Sequence, residues 1–359
     1  MTNPRTRVAA LVAAALSTTL ALSACGSGSG GDAGSGGGAE DAKIAFLMPD
    51  LASTRYEQYD SPLFKKKIAE LCPGCEVIYQ NADSDASKQQ QQADSALAQG
   101  IKALVIDPVD SAAAATIVQT AQSQDVPVIA YDRPIPKIPA DYYVSFDNEK
   151  IGALIAQSLV DELKKSGAEG GILEVNGSPT DAAAGLIKKG IHSAVDPSGI
   201  KLLAEYDTPD WQPEKAQSWV SGQITRFPGQ IAGVVAANDG TGGGAIAAFK
   251  AAGVPVPPVT GNDAELAAAQ RILAGDQYNT ISKPIKTVAE AAAEVAWEFA
   301  QGKTPKGKAT LFDTPSQLFT PEVVTRENIK AALFDSGALE ASKVCTGEYA
   351  KACTELGIS

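Results

Sequence analysis

Histidine is nearly absent: His192 is the only one in 359 residues. It lies in I-K-K-G-I-H-S-A-V, which reads as a helix with His192 at its surface or half-buried. With one imidazole, and the cysteines otherwise assigned, neither an ordinary transition-metal cluster nor a Ser-His-Asp set is expected. Basic residues are also in deficit. Lys and Arg number 30 against 42 Asp and Glu, giving a net charge of −12 and a pI of about 4.7. That balance excludes a nucleic-acid binder, which neutralises phosphates with Lys and Arg. Aromatics make up 6%, and of the three Trp, Trp219 and Trp297 fall in helical patterns as core residues. What remains, 44% hydrophobic and 20% charged residues, is the composition of a globular protein long enough for two domains.

The N-terminus reads as an export signal. Arg5 and Arg7 precede an apolar run from Val8 to Leu22, too short and wrongly flanked for a membrane-spanning helix. Leu22-Ser23-Ala24-Cys25 resembles a bacterial lipobox, which implies a signal peptide over 1–24 and a lipidated Cys25 as the first mature residue. Multiple acyl chains give stable anchoring. Residues 25–42 then form the anchor and a Gly/Ser tether with a mean reach of ~20 Å. The expected location is outside the cytoplasm, held at the cell membrane.

Four cysteines remain: Cys72 and Cys75 in L-C-P-G-C-E, and Cys345 and Cys353 near the C-terminus. They allow three connectivities, of which local pairing is the simplest. An exported protein keeps such bonds. A redox C-x-x-C is the alternative, but it normally opens a helix, whereas Cys72 follows the helical stretch Ser61–Leu71.

Beyond the tether, β and α patterns alternate twice. Strands are expected at 43–48, 76–80, 103–106 and 126–130, with helices at 61–71, 84–99 and 111–124 between them. A second β-like run, Tyr142 to Phe146, follows a Pro-rich loop. The alternation restarts with helices at 149–165, 181–195, 213–226, 241–252, 263–274 and 284–301 and strands at 171–175, 200–206, 231–236, 259–260 and 278–282. Apolar strands alternating with helices imply parallel sheets covered on both faces. The fold class is α/β, with two doubly wound halves. Strands end in polar clusters: Asp132-Arg133, Asp147-Asn148-Glu149 and Asn238-Asp239. Ligands of open α/β sheets bind at such carboxyl ends. The G-T-G-G-G after Asn238-Asp239 is not a dinucleotide fingerprint, which belongs to the first strand of its unit.

Eight blocks occur in order: T-R-Y-E-Q-Y-D (54–60), A-Y-D-R (130–133), Y-V-S-F-D-N-E-K-I-G (143–152), N-G-S-P-T-D (176–181), D-W-Q-P-E-K-A (210–216), A-A-N-D-G-T-G-G-G-A (236–245), G-N-D-A-E-L (261–266) and S-K-P-I (282–285). Over about residues 43 to 340 the chain resembles the sugar-binding proteins of bacterial ABC importers, in the xylose-binding branch with the type I binding-protein fold. The resemblance implies two lobes joined by three crossings, near Val144–Phe146, Ser282–Pro284 and Leu311–Thr314. The N-terminal lobe is then 43–145 plus 284–311, and the C-terminal lobe 146–283 plus 312–359.

It also implies ligand roles. Asp132 and Arg133 bond sugar hydroxyls, Arg55 donates, and Tyr56 stacks where xylose binders carry a Trp. Asn148 supplies donor and acceptor, or caps the helix that follows. Trp211 covers the other sugar face. Asn238, Asp239, Asp263 and Lys283 complete the set, with no cofactor and no metal. The chain departs from the branch at Ser178-Pro179-Thr180-Asp181-Ala182-Ala183-Ala184, where Asn residues are expected. Asp181 is therefore left without an assigned role and the sugar is open, D-xylose or a related aldose.

The implied function is a monomeric receptor that closes on a monosaccharide and delivers it to a membrane permease. A lipid-anchored sugar sensor without transport fits the same sequence. A glycoside-acting enzyme would need two carboxylates ~5–10 Å apart across a scissile bond, such as Asp132 and Asp239. A sugar-responsive repressor would need a basic helix-turn-helix where the signal and tether stand.

Overall fold

The computed structural model describes residues 41–359. The signal peptide, Cys25 and the tether as far as residue 40 lie outside the described residues. No helix among the described residues is long and apolar enough to cross a membrane.

The first half runs β1 (Lys43–Met48), α1 (Ser61–Leu71), β2 (Glu76–Asn81), α2 (Ala86–Ala98), β3 (Ala103–Ile106), α3 (Ala114–Gln122), β4 (Val128–Tyr131) and β5 (Tyr142–Phe146). These strands pair in parallel in the order β5-β4-β3-β1-β2. Both faces of β1 are buried, as the unbroken K-I-A-F-L-M pattern demands. Ile44, Phe46 and Met48 enter one apolar cluster, Ala45 and Leu47 another.

The second half runs α4 (Asn148–Ser166), β6 (Gly171–Asn176), α5 (Ala182–Val195), β7 (Lys201–Asp207), α6 (Pro213–Arg226), β8 (Ile231–Ala236), α7 (Asp239–Ala251), α8 (Leu266–Ala274) and β9 (Asn279–Ser282). Its three-stranded parallel sheet has the order β7-β6-β8, extended by a parallel bridge from Val234 to Val259. Helix starts are set by side-chain caps: Asp147 accepts from Lys150 N, Asp181 from Ala183 N, and Asn238 from Thr241 N. α4 and α5 approach closely because Gly190 lies on the Glu149 carbonyl, where a Cβ would stand 2.0 Å from that oxygen.

The chain then returns to the first sheet. α9 (Ile285–Ala300) packs on α1, and β10 (Ala309–Leu311) pairs antiparallel with β11 (Thr314–Phe319). β11 pairs in parallel with β5, Ser316 opposite Tyr143, completing seven strands. β12 (Glu322–Thr325) pairs antiparallel with β9. This corrects one expectation: the third passage between halves falls between Phe319 and Glu322, not near Leu311–Thr314, because β11 takes an edge of β5 that would otherwise be unpaired. Likewise the helix expected from Asp263 starts at Leu266, because Asp263 and Ala264 adopt positive φ of 103° and 51°.

Disulfides join Cys72 to Cys75 and Cys345 to Cys353. Cys72 sits just past the C-terminal end of α1. The helix dipole there disfavours a thiolate, which argues against a redox role.

Candidate functional site

Chain order brings the carboxyl ends of β1 and β4 opposite the N-terminal ends of α4, α5 and α7. A cleft forms there, lined from the first half by Ser53, Arg55, Tyr56, Asp132 and Arg133. The second half contributes Asn148, Asp181, Ala183, Ile187, Trp211, Asn238, Asn262 and Asp263, and Lys283 lies just past β9.

Asp132 is the pivot. It terminates β4 with φ of 58°, a conformation costly for a residue with a Cβ. The surroundings hold it there: Tyr143 and Ser145 hydroxyls donate to its carbonyl at 2.7 and 2.8 Å, and its own N–H donates to Val144 O. Its carboxylate lies 3.3 Å from Arg55 Nη1 and 3.7 Å from Lys283 Nζ. Burial alone would raise its pKa, but Arg55, Lys283 and Arg133 hold it at about 2.

The two arginines are fixed from behind. Arg55 gives Nε and Nη2 to Asp60 at 3.1 and 2.8 Å, a bidentate pair that leaves Nη1 for Asp132. Tyr131 donates its hydroxyl to the same Asp60. Arg133 Nη2 donates to Asp50 at 2.7 Å and to the Tyr56 hydroxyl at 3.3 Å, and Nη1 to the Pro108 carbonyl. Its Nε stands 3.3 Å from Asp107 and 3.2 Å from Asp181, the latter on the opposite wall. Burial pushes Asp107 well above the usual carboxylate range despite Arg133, and raises Asp181 less far.

The facing wall carries a ring and amides. Trp211, at φ of 56°, directs its Nε1–H to Asp181 at 3.0 Å. Its ring lies on Gly177, where any Cβ would come within 2.1 Å of ring carbons. Asn148 Nδ2 donates to the Tyr143 hydroxyl, linking this wall to the residue that holds Asp132. Asn262 gives Nδ2 to Asp263, while its Oδ1 is buried without a hydrogen-bond partner. Lys283 Nζ pairs with Asp263 at 2.6 Å.

Of the residues expected from the sequence, Arg55, Tyr56, Asp132, Arg133, Asn148, Trp211, Asn238, Asp263 and Lys283 all line the cleft. Asp239 does not. Its carboxylate turns under the following loop and accepts from Glu265 N, Gln277 Nε2 and Thr280 Oγ1 at 2.7 to 2.9 Å. Burial, with Asp263 adding to it, raises Asp239 to about 7. It shapes the 261–265 loop instead of lining the cleft. Sequence reading missed Ser53, Ala183, Ile187 and Asn262, and left Asp181 without a role. The G-N-D-A block contained the signal for Asn262.

Residues 44–304 match the family model described as a periplasmic binding protein domain. The D-xylose-binding periplasmic protein of Escherichia coli is 36% identical over 83% of this chain and 91% of its own length. The multiple sugar-binding periplasmic receptor of Rhizobium radiobacter is 29% identical over 85% of this chain and 93% of its own. A solved carbohydrate-transporter solute-binding protein from Chloroflexus aurantiacus, in complex with D-glucose, superposes with a TM-score of 0.77 at 28% identity, over 84% of this chain and 97% of that one. These proteins are solute-binding proteins, not enzymes.

Proposed function

Because this chain belongs to the periplasmic binding protein family, we propose that its cleft binds one monosaccharide, D-xylose or a related aldose, and hands it to an ABC permease. The observation that carries this reading is the pairing of unlike walls. Arg55, Asp132 and Arg133 present charged donors and acceptors on one side, and Trp211, Asn148 and Asn262 present a ring and amides on the other. A sugar offers hydroxyls in its ring plane and apolar faces above and below. Charge-assisted bonds to hydroxyls are strong and directional, and the Trp ring covers a face. The buried, unbonded Oδ1 of Asn262 is an acceptor for a hydroxyl. A polar site of this kind rejects analogues that leave its groups unpaired.

The mechanism follows from where the groups sit. Arg133–Asp181 and Arg55–Asp263 contacts run across the cleft. A ligand that bonds both walls favours the closed arrangement over the open one, and so shifts the population toward it. The three passages, after β5, after β9 and after β11, are the hinge. The outer surfaces of the closed halves dock on the permease, and lipidated Cys25 keeps the receptor at the membrane. The Ala182–Ala184 stretch, without amides, leaves Asp181 and Trp211 as the polar features of that corner, so the preferred aldose is set mainly by the first wall.

A thermal-shift panel of pentoses and hexoses tests the reading. Ligand at 100 Kd adds ~2.7 kcal/mol of stability. D-Xylose or a close aldose is expected to raise Tm by several degrees. No shift with any monosaccharide would remove the proposal.

A further inference from the structure

On the far side of the second sheet from the α6–α7 layer, two glutamates stand side by side. Glu174 of β6 and Glu205 of β7 are register partners in a parallel pair. Like charges on adjacent strands repel. Glu174 is fully buried, and its carboxylate oxygens make no hydrogen bond of good geometry, although His192 and the nearby Asn176 side chain partly offset the upward push of burial on its pKa. A carboxyl in that condition either takes up a proton, as burial favours by raising Glu174 to about 7, or stays charged against a cation. Above the pair lies His192 of α5. Its Nε2 is 3.5 Å from Glu174 Oε1 and 3.4 Å from Glu205 Oε2. None of the three residues lines the cleft.

We propose that Glu174, His192 and Glu205 form a binding site for one divalent transition-metal ion of the zinc class. The three ligand atoms lie within 4.8 Å of one another. Zinc bound tetrahedrally at ~2.0–2.1 Å to N and O holds its ligand atoms roughly 3.4 Å apart. Both His–Glu separations already match that spacing. The outer shell is in place as well. His192 Nδ1 is 3.1 Å from Asp196 Oδ1, one turn on at the end of α5. A carboxylate on Nδ1 holds the proton there and leaves the Nε2 lone pair for a metal, the arrangement that orients histidine ligands generally. Lys188 Nζ bonds the other oxygen of Glu205 at 2.8 Å and so leaves Oε2 to face His192. His192 and Glu205 have side-chain exposures of 30% and 39%, which leaves an entry path and room for water as a fourth ligand. One imidazole with two carboxylates suits Zn²⁺, while Ca²⁺ and Mg²⁺ favour all-oxygen sites.

The test is a titration of EDTA-stripped, purified protein with Zn²⁺ alone, read by calorimetry, with Co²⁺ absorbance as a second probe. The expected result is saturable binding of one Zn²⁺ per chain and the intense visible bands of four-coordinate Co²⁺. His192→Asn and Glu205→Gln, both at half-exposed positions, should each weaken binding at least tenfold while leaving sugar binding unchanged. Asp196→Asn should weaken it ~10-fold through the outer shell. Absence of saturable binding overturns the proposal. So does binding that persists unchanged in His192→Asn and Glu205→Gln, since the ion is then held elsewhere. Neither outcome bears on the sugar cleft.

Discussion

The two walls of the cleft are built on different principles. On the first wall, every charged group that meets the cleft is backed by another charge. Arg55 rests on Asp60, Arg133 on Asp50 and Asp107, and Asp132 on Arg55 and Lys283. On the second wall the groups are mostly neutral: Trp211 on Gly177, Ala183, Ile187, and the amides of Asn148, Asn238 and Asn262. Its two acids, Asp181 and Asp263, reach across to cations. The two arginines of the first wall are therefore pre-organised within their own half, and ordering them would cost little when a ligand arrives. In the proposed closure, the second wall would supply the contacts made last. Changes to the first wall should therefore damage folding and binding together, whereas changes to the second should damage binding more selectively.

Arg133→Ala is the severest way to break that contrast. It leaves Asp50, Asp107 and Asp181 facing one another without their shared cation. Removing one partner of a buried ion pair costs ~3–5 kcal/mol, so chemical denaturation should show a loss of that order together with loss of sugar affinity. A variant of unchanged stability would mean that the first wall is not a network.

Trp211→Ala addresses the opposite wall. Loss of the ring should weaken sugar binding by about 2 kcal/mol, roughly thirtyfold in Kd by calorimetry. The destabilisation should be smaller than that of Arg133→Ala. A larger fall in stability than in affinity would reverse the assignment of the walls.

Asp132→Asn sharpens the comparison through pH. The folded pKa of about 2 lies below the ordinary carboxylate value of 3.8. The native state thus binds fewer protons than the unfolded chain between these values. The stabilisation is fully present above about pH 4 and fades as pH falls toward 2. Asp132→Asn should be less stable than the parent at pH 7, and the gap should narrow across that window. A gap of constant size from pH 7 to pH 2 would contradict the charge network around Asp132.

Ala183→Asn should have the smallest effect, returning an amide to the second wall. The ratio of D-xylose to D-glucose affinity should change by about 1 kcal/mol, a few-fold, on the scale of one hydrogen bond. No change in the ratio would show that this corner does not contact the sugar.

Much of this contrast was legible in the sequence, and the misses have physical causes. Asp132-Arg133 stood out because a charged pair follows a fully apolar strand. Asn238-Asp239 gave the same signal, but only Asn238 reaches the cleft, since its side chain caps α7 while the next residue points back under the loop. Thr314–Phe319 lacks a clear apolar alternation, and its place beside β5 depends on a partner 173 residues earlier in the chain, Ser316 lying opposite Tyr143. Glu174 was hidden inside G-I-L-E-V-N, which reads as an ordinary buried strand. Only the register of β6 against β7, with α5 above them, brings it beside Glu205 and His192. Local pattern exposed the elements, whereas long-range pairing decided which polar groups meet.

Both walls are proposed to close on a single sugar. Calorimetric titration of the parent protein and Trp211→Ala with D-xylose, and with the aldose giving the largest thermal shift, tests it most directly. The account predicts one saturable site per chain in the parent, weakened in the variant at nearly unchanged stoichiometry. Absence of saturable binding by any aldopentose or aldohexose, or equal affinity in the two proteins, would contradict it.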